Sequence, residues 1–392
     1  MTNLALSLII IVAAFIAYTY LGYPLVLRVA SWWRRKDSQL PTDYSWPKIT
    51  ITLAAYNEAA AIRGTLESLL ELDYPSECRQ ILVISDASND GTDAIVSEYA
   101  ARGVELLRLP QRGGKTAAEN AALDHIRGSI VVNTDASVRV ERHALKPLIY
   151  AFADPGVGLA SGRDVSVARF GDEANVGESK YVGYEMWIRD LETRVSGIIG
   201  ASGCFYAIRA ELHRNQIPEG LSRDFAAALV TRERGFRAVS VNDAICYVPR
   251  AASLRNEYPR KVRTLARGLQ TLFYKRALLN PFRFGAFAWM LFSHKLCRWL
   301  VPWMAVVGLA ALIGLSASEV LARWVLGLGV LGLILAVLGW LWPERRGIPT
   351  VLALPAYLVA GNLAALHAWV RVMRGQRSAI WEPTRREALG AG

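Results

Sequence analysis

Two hydrophobic patterns divide the chain. Through the middle, short apolar runs end on polar clusters at the spacing of βα units. Residues 48–55 (KITITLAA), 80–84, 104–108 and 130–134 read as strands, because runs of about five β-formers bounded by turn residues suit a buried parallel sheet. Ile62, Leu66, Leu69 and Leu70 have helical spacing and predict a helix over 59–71. Further helices are expected over 92–101, after the turn and cap Ser88-Asn89-Asp90-Gly91, and over 116–126. Strand and helix alternate, which predicts parallel strands with crossover helices. After residue 150 the order loosens, with strands expected near 157–162, 204–208 and 245–248 and helices near 176–195 and 224–234. On both sides the apolar pattern becomes continuous. Residues 4–29 are long enough to span a bilayer, and 299–316, 321–342 and 350–372 predict three further spans. Between domain and spans, 262–298 mixes Arg and Lys with Leu, Phe and Trp; an ordinary amphipathic core helix would share that composition, but the span that follows directly favours helices lying in the interface plane.

Composition sharpens this picture. The 392 residues carry a net charge of +11 and are 53% hydrophobic. A nucleic-acid binder would place its basic residues in a stripe interleaved with aromatics. Here RRK (34–36), RRG (345–347) and RRE (385–387) flank apolar segments, the pattern of a membrane's cytoplasmic side. No basic segment precedes residue 4 and no small-residue cleavage site follows, so a spanning helix is favoured over a signal peptide. The charges after residue 33 orient residue 40 onward to the cytoplasm. One span before the domain and three after it would leave the basic tail from Arg371 outside, so either 281–298 crosses as well or one apparent span re-enters. Cys78, Cys204, Cys246 and Cys297 have no CxxC spacing, which argues against a zinc site or disulfide framework.

The candidate chemistry sits at strand ends. Asp135 closes IVVNTD, and Ser137 follows at an alternate position. Hard oxygen ligands so placed suit Mg²⁺ or Mn²⁺ held against a diphosphate, or the pair is a helix N-cap. Asp86 closes ILVIS and either accepts from a base or ribose, or caps the next helix. Tyr56, Asn57 and Glu58 end the first strand and can stack on and hydrogen-bond a base, or form a loop. RGGK (112–115) precedes a helix, where glycine backbone and N–H groups attract anions, although the P-loop spacing is absent. Asp224 is either a helix cap or a general base for an acceptor hydroxyl. Arg260 and Arg263 share a helix face and either fork a diphosphate or meet lipid headgroups.

Taken in order, these residues resemble the family-2 GT-A glycosyltransferases, in particular membrane-bound cellulose, hyaluronan and poly-N-acetylglucosamine synthases. The resemblance runs from about residue 46 to 275. It implies that Tyr56, Asn57, Glu58 and Asp86 bind uridine and that Gly114 and Lys115 form the family's Gly-Lys segment. It implies that Asp135-Ala136-Ser137 stands for the Asp-x-Asp metal motif and Asp224 for the catalytic base. Arg260, Arg263 and Thr264 match the Gln/Arg-x-x-Arg-Trp motif, and ASGCFYAIR (201–209), with Ser202, Gly203 and Cys204, resembles the acceptor-side segment. WEPTR (381–385) is similar to a cytoplasmic element near the diphosphate, which argues for an inside C-terminus. Three positions depart from the pattern: Ser137 replaces an acid, Arg223 stands where many relatives have an acid, and Thr264 replaces a Trp. The missing Trp platform weakens the case for processive polymerisation and favours single addition as much.

The expected organisation is an α/β, GT-A (Rossmann-like) mixed-sheet domain between membrane helices. Its parts are an N-terminal transmembrane helix (1–33), the cytoplasmic GT-A domain (46–254), interfacial helices (255–298), C-terminal transmembrane helices (299–374) and a basic tail (375–392). The expected activity is inverting transfer from a UDP-sugar to a glycan or lipid-linked acceptor, with Mg²⁺ or Mn²⁺, at the inner membrane. Two alternatives stand beside it. A polyprenyl-phosphate sugar transferase would act on a lipid phosphate, which needs no general base. A non-catalytic assembly protein would keep a degenerate, nucleotide-binding transferase domain.

Overall fold

The computed structural model describes residues 2–32, 44–167, 176–249, 254–343 and 348–376. The basic clusters at 34–36 and 345–347 and the tail segment 381–385 lie outside the described residues. The chain divides into two compact units, one of Met1–Val26, Ala251–Leu269 and Ala288–Arg377, the other of Leu27–Arg250, Gln270–Phe287 and Ser378–Gly392.

Among the described residues, the second unit is built on one eight-stranded sheet. Its strands are β1 (Ile49–Ala55), β2 (Arg79–Ser85), β3 (Val104–Arg108), β4 (Ile130–Asp135), β5 (Arg139–Val140), β6 (Val157–Val167), β7 (Phe205–Arg209) and β8 (Arg237–Pro249). Their spatial order is β3-β2-β1-β4-β7-β6-β8-β5. The first four strands are parallel, while β7 runs antiparallel to both β4 and β6. Pairing of Ala55 with Ser85 and of Ala54 with Asp135 brings the C-terminal ends of β1, β2 and β4 to one edge. The chain reverses its winding between β1 and its neighbours β2 and β4, which opens a crevice there.

The strands form because each face of the sheet is covered. Ile49, Ile51 and Leu53 pack with Ile62, Leu66 and Leu69 of the helix Ile62–Leu70, whose apolar spacing the sequence shows. On the opposite face Val131, Leu159, Tyr206 and Ile208 pack with Ala227 and Ala228 of the helix Arg223–Glu233. Buried Thr50 is satisfied by donating to Gln80 Oε1 at 2.7 Å.

Several bounds differ from expectation. β6 and β8 run well beyond 157–162 and 245–248, and they pair in parallel along most of their length with two register shifts. The polar stretches RDVS and SVND read as loop because their alternation is broken by these irregularities. The helices after Thr92 and Lys115 end at Ser97 and Ala121, each followed by a short 3₁₀ turn. The helix Val176–Val195 matches its expected range.

Among the described residues, four helices are long and apolar enough to cross a membrane: Thr2–Trp32, Ala286–Leu315, Val320–Leu341 and Thr350–Met373. The second begins at Ala286, within the segment assigned to the interface, so residues 286–298 are continuous with that helix. Within the first unit, close packing rests on small residues. A Cβ on Gly339 would lie 2.6 Å from the Leu352 carbonyl oxygen, and Ala356, Ala360, Ala364 and Ala368 are buried on the helix Thr350–Met373. The helix pair Thr2–Ala17 and Arg298–Leu315 meets at Gly308 against Val12. Two π-helical turns, Tyr18–Gly22 and Phe292–Cys297, also face each other. There Tyr18 hydrogen-bonds Ser293 at 2.7 Å, Trp289 Nε1 donates to the Tyr18 hydroxyl at 2.9 Å, and the Tyr23 ring lies 5.2 Å from Trp289.

Candidate active site

The C-terminal edge of the sheet gathers eleven of the fourteen expected site residues in the second unit: Tyr56, Asn57, Glu58, Asp86, Lys115, Asp135, Ser137, Ser202, Gly203, Cys204 and Asp224. Arg260, Arg263 and Thr264 belong to the first unit, on the helix Leu254–Tyr274. Arg260 donates there to Glu257 at 2.9 Å, and Thr264 is exposed.

Asp86 follows β2 and is buried. Its two oxygens accept from the backbone N–H groups of Gly113 (2.7 Å) and Gly114 (2.8 Å). The carboxylate therefore fastens the glycine loop to the sheet. Gly114 has φ of 89°, open to glycine and costly for other residues, and the next residue starts the helix Lys115–Ala121. The first-strand end is tied down similarly. Asn57 accepts from the Asn89 N–H at 2.9 Å, and the Glu58 N–H donates to Thr92 Oγ1 at 2.9 Å. The Arg112 guanidinium stacks on the Tyr56 ring, 3.8 Å from its centroid.

The helix start places Lys115 between two strands' ends. Its ammonium pairs with Asp135 Oδ1 and donates to the Gly203 carbonyl at 3.1 Å. Burial lowers the lysine's proton affinity, but the Asp135 and Glu119 carboxylates outweigh it and leave the pKa raised. Gly203 in turn adjoins Asp224: a Cβ there would lie 3.1 Å from Asp224 Oδ2. The other Asp224 oxygen accepts from Ser222 Oγ at 2.5 Å, and the Ser222 N–H donates to Thr271 Oγ1 at 3.0 Å. Asp135, Lys115, Gly203 and Asp224 thus form a continuous, partly exposed chain of contacts.

Arg223, Glu119 and Asp164 support the site from positions to which the sequence assigns no role. Arg223, flagged only as a departure, points away from the cleft. It is buried with Glu119 at 3.1 Å and bonds Asn120 and the His213 carbonyl. Burial drives the Glu119 carboxyl up, while Lys115 and Arg223 pull it down, leaving it raised. Glu119 lies one helical turn after Lys115, a spacing that could have revealed it. Asp164 on β6 accepts from Ser202 Oγ at 2.5 Å, and burial raises its pKa.

His213 yields a pH prediction. Burial, with the Arg223 charge beside it, pulls its pKa well below the usual histidine range. The unfolded chain gains a proton near pH 6.5 that the folded protein refuses, so this group's stability is complete above about pH 6.5. It falls on acidification by up to about 1.4 kcal/mol per pH unit. Thermal midpoints across this range should drop toward acid, and His213→Gln should flatten the slope. An unchanged slope would assign the acid sensitivity to other groups.

Residues able to hold a divalent cation are few. Among the described residues no group of three His, Cys, Asp or Glu could hold one. Asp135 and Ser137 supply one carboxylate and one hydroxyl, both partly exposed. That set fits an oxygen-seeking ion shared with a ligand's phosphates, not an all-protein cage.

Comparison with known proteins agrees with this geometry. Residues 50–213 match the model described as Glycosyl transferase family 2. The chain is 31% identical over 123 residues to a beta-monoglucosyldiacylglycerol synthase of Synechocystis sp., covering 30% of this chain and 26% of that one. It is 24% identical over 221 residues to an N-acetylglucosaminyltransferase of Rhizobium sp., covering 51% and 48%. The chain therefore spans about a quarter to a half of the length of these relatives. A mannosyltransferase from Pyrobaculum calidifontis, solved in complex with GDP-Man and Mn²⁺, superposes with a TM-score of 0.70 at 25% identity, covering 94% of this chain and 100% of that one. The matched segment holds β1 to β7 and the Pyrobaculum structure superposes over 94% of the chain, so residues 50–213 form a glycosyltransferase family 2 domain in a chain with the GT-A fold.

Proposed function

We propose that this protein is a membrane-bound inverting glycosyltransferase that moves a sugar from a nucleoside-diphosphate donor to a glycan or lipid-linked hydroxyl. The observation that carries the reading is the linked set Asp135–Lys115–Gly203–Asp224 at the open edge of the parallel strands. In this reading Asp224, held by Ser222, takes the acceptor's proton as its oxygen attacks the anomeric carbon. Tyr56 and Arg112 offer a flat surface for the base. Asp86 holds the 112–115 loop so that its backbone and Lys115 approach the diphosphate. Asp135 and Ser137 would hold Mg²⁺ or Mn²⁺. When bound, that ion offsets charge on the leaving diphosphate. Arg260 and Arg263 are proposed to add to that charge balance. Relatives named for a glycolipid and for N-acetylglucosamine transfer, and the mannosyltransferase holding GDP-Man and Mn²⁺, support the class without fixing the sugar. UDP is the proposed nucleotide; the apolar helices support membrane association, and the basic residues flanking them are the reason to propose the inner membrane with the GT-A domain in the cytoplasm.

The test is to offer detergent-solubilised protein a panel of radiolabelled UDP- and GDP-sugars with membrane lipid extract. Consumption of one donor, with label moving to a lipid-soluble or polymeric product, is expected. Folded protein that binds a nucleotide yet consumes no donor would overturn the assignment in favour of a binding module. Asp135→Ala should weaken nucleotide binding in the presence of Mn²⁺ by more than about tenfold. Without the ion its calorimetric affinity should match wild type. Equal affinities in both conditions would remove Asp135 from the metal site.

A further inference from the structure

A cleft of about 270 Å³ lies apart from the Asp135–Asp224 set and shares no residue with it. It is bounded by Arg28, Ser31 and Trp32 at the end of the first apolar helix, and by Trp187, Leu191 and Arg194 on the helix Val176–Val195. We propose that this cleft holds the phosphate of an anionic phospholipid headgroup.

Charge is the first argument. Both guanidiniums are exposed, and among the described residues neither has a hydrogen-bond or ion-pair partner. Two such forks on one cleft are suited to a phosphate's oxygens. The lining's one carboxylate, Asp190, is engaged elsewhere: both its oxygens accept from the Asn242 amide at 2.9 Å. Position is the second argument. Arg28 and Trp32 lie in the last turns of Thr2–Trp32, a helix apolar and long enough to cross a membrane. A cation and an indole at the end of such a helix sit at headgroup depth. Trp32 is 75% exposed and Trp187 is 38% exposed, so two indoles flank the paired cations. Two indoles and two guanidiniums lining one cleft fit a headgroup and the start of its acyl chains. A free nucleotide would gain little from it, since no glycine-rich backbone lines the cleft.

The inference rests on the reading that Thr2–Trp32 spans a membrane, and the experiment separates the two. Wild-type protein is reconstituted in nanodiscs of phosphatidylcholine alone or mixed with phosphatidylglycerol. Co-purified lipid is measured by native mass spectrometry and unfolding by heat. Phosphatidylglycerol should be retained and raise the unfolding midpoint. Arg28→Gln/Arg194→Gln should cut its retention about thirtyfold, at roughly tenfold or less per charge. Arg63→Gln, which removes an exposed arginine elsewhere, should leave retention unchanged. Because the double variant could misfold, wild-type protein is also cross-linked to photoreactive phosphatidylglycerol, with adducts expected between 187 and 194. Inorganic phosphate added to phosphatidylcholine nanodiscs should not shift the midpoint. A phosphate-driven shift equal to that of the lipid, retention unaltered by the double variant, or adducts confined to other segments would each overturn the lipid site. Protein that fails to enter nanodiscs at all would overturn the span as well.

Discussion

Asp224→Asn should lower sugar transfer by about two to four orders of magnitude while leaving nucleotide affinity at the wild-type value. General-base catalysis contributes roughly that much. The substitution keeps size and shape, and Asn can still accept the Ser222 hydroxyl bond seen at 2.5 Å. The groups proposed to meet the nucleotide are held by other contacts: Asp86 accepts from Gly113 and Gly114, and Arg112 stacks on Tyr56. Single-turnover transfer and calorimetric nucleotide binding, measured on one preparation, separate the two effects. Near-normal transfer by the purified variant would remove Asp224 as the base and favour an acceptor that is already a nucleophile, such as a lipid phosphate. Loss of binding together with rate would mean that Asp224 shapes the donor site.

The second large effect concerns stability. Glu119→Gln should destabilise the domain by about 3–5 kcal/mol, because it leaves the buried Arg223 guanidinium without its carboxylate. Both side chains are almost wholly shielded, at 4% and 3% exposure, so water cannot take over the lost charge. A midpoint fall on the order of 10 °C is expected in thermal unfolding. Asn120 and His213 would remain as neutral acceptors and limit the damage. An unchanged midpoint would show that Glu119 is protonated in the folded state, the direction in which burial drives it. Replacing Glu119 and Arg223 together by apolar residues should recover much of the loss, since a removed pair strands no charge.

The fold was legible where pattern and period are simple. The strands ending at Ala55, Ser85, Arg108 and Asp135 are short runs of β-formers bounded by turn residues, and each sits within about a residue of its expected range. The sequence pattern predicts four residues of β8 where thirteen are extended, because Ser240, Asn242 and Asp243 break the alternation and the strand pairs with β6, remote in sequence. The two-residue β5 has no local signal, since it exists through pairing with Tyr247 and Cys246. The site divides in the same way. Asp86, Lys115, Asp135 and Asp224 announce themselves by strand and helix ends. Which neighbour each carboxylate faces is a tertiary matter. Asp86 meets glycine N–H groups twenty-seven and twenty-eight residues on, and Arg223 turns inward to a glutamate on another helix. No spacing rule reaches that far.

The facing π-turns of the first unit have a consequence for how the apolar helices find one another. Each widened turn inserts one residue, which rotates everything beyond it by about 100°. Hydrocarbon-facing helices otherwise present similar surfaces at many angles, and sliding between them is cheap. With both insertions present, Tyr18, Ser293 and Trp289 can satisfy one another's hydroxyl and N–H groups at a single relative phase. The pairing of the first apolar helix with the second is thereby keyed, like a notch and tooth, to one angular setting.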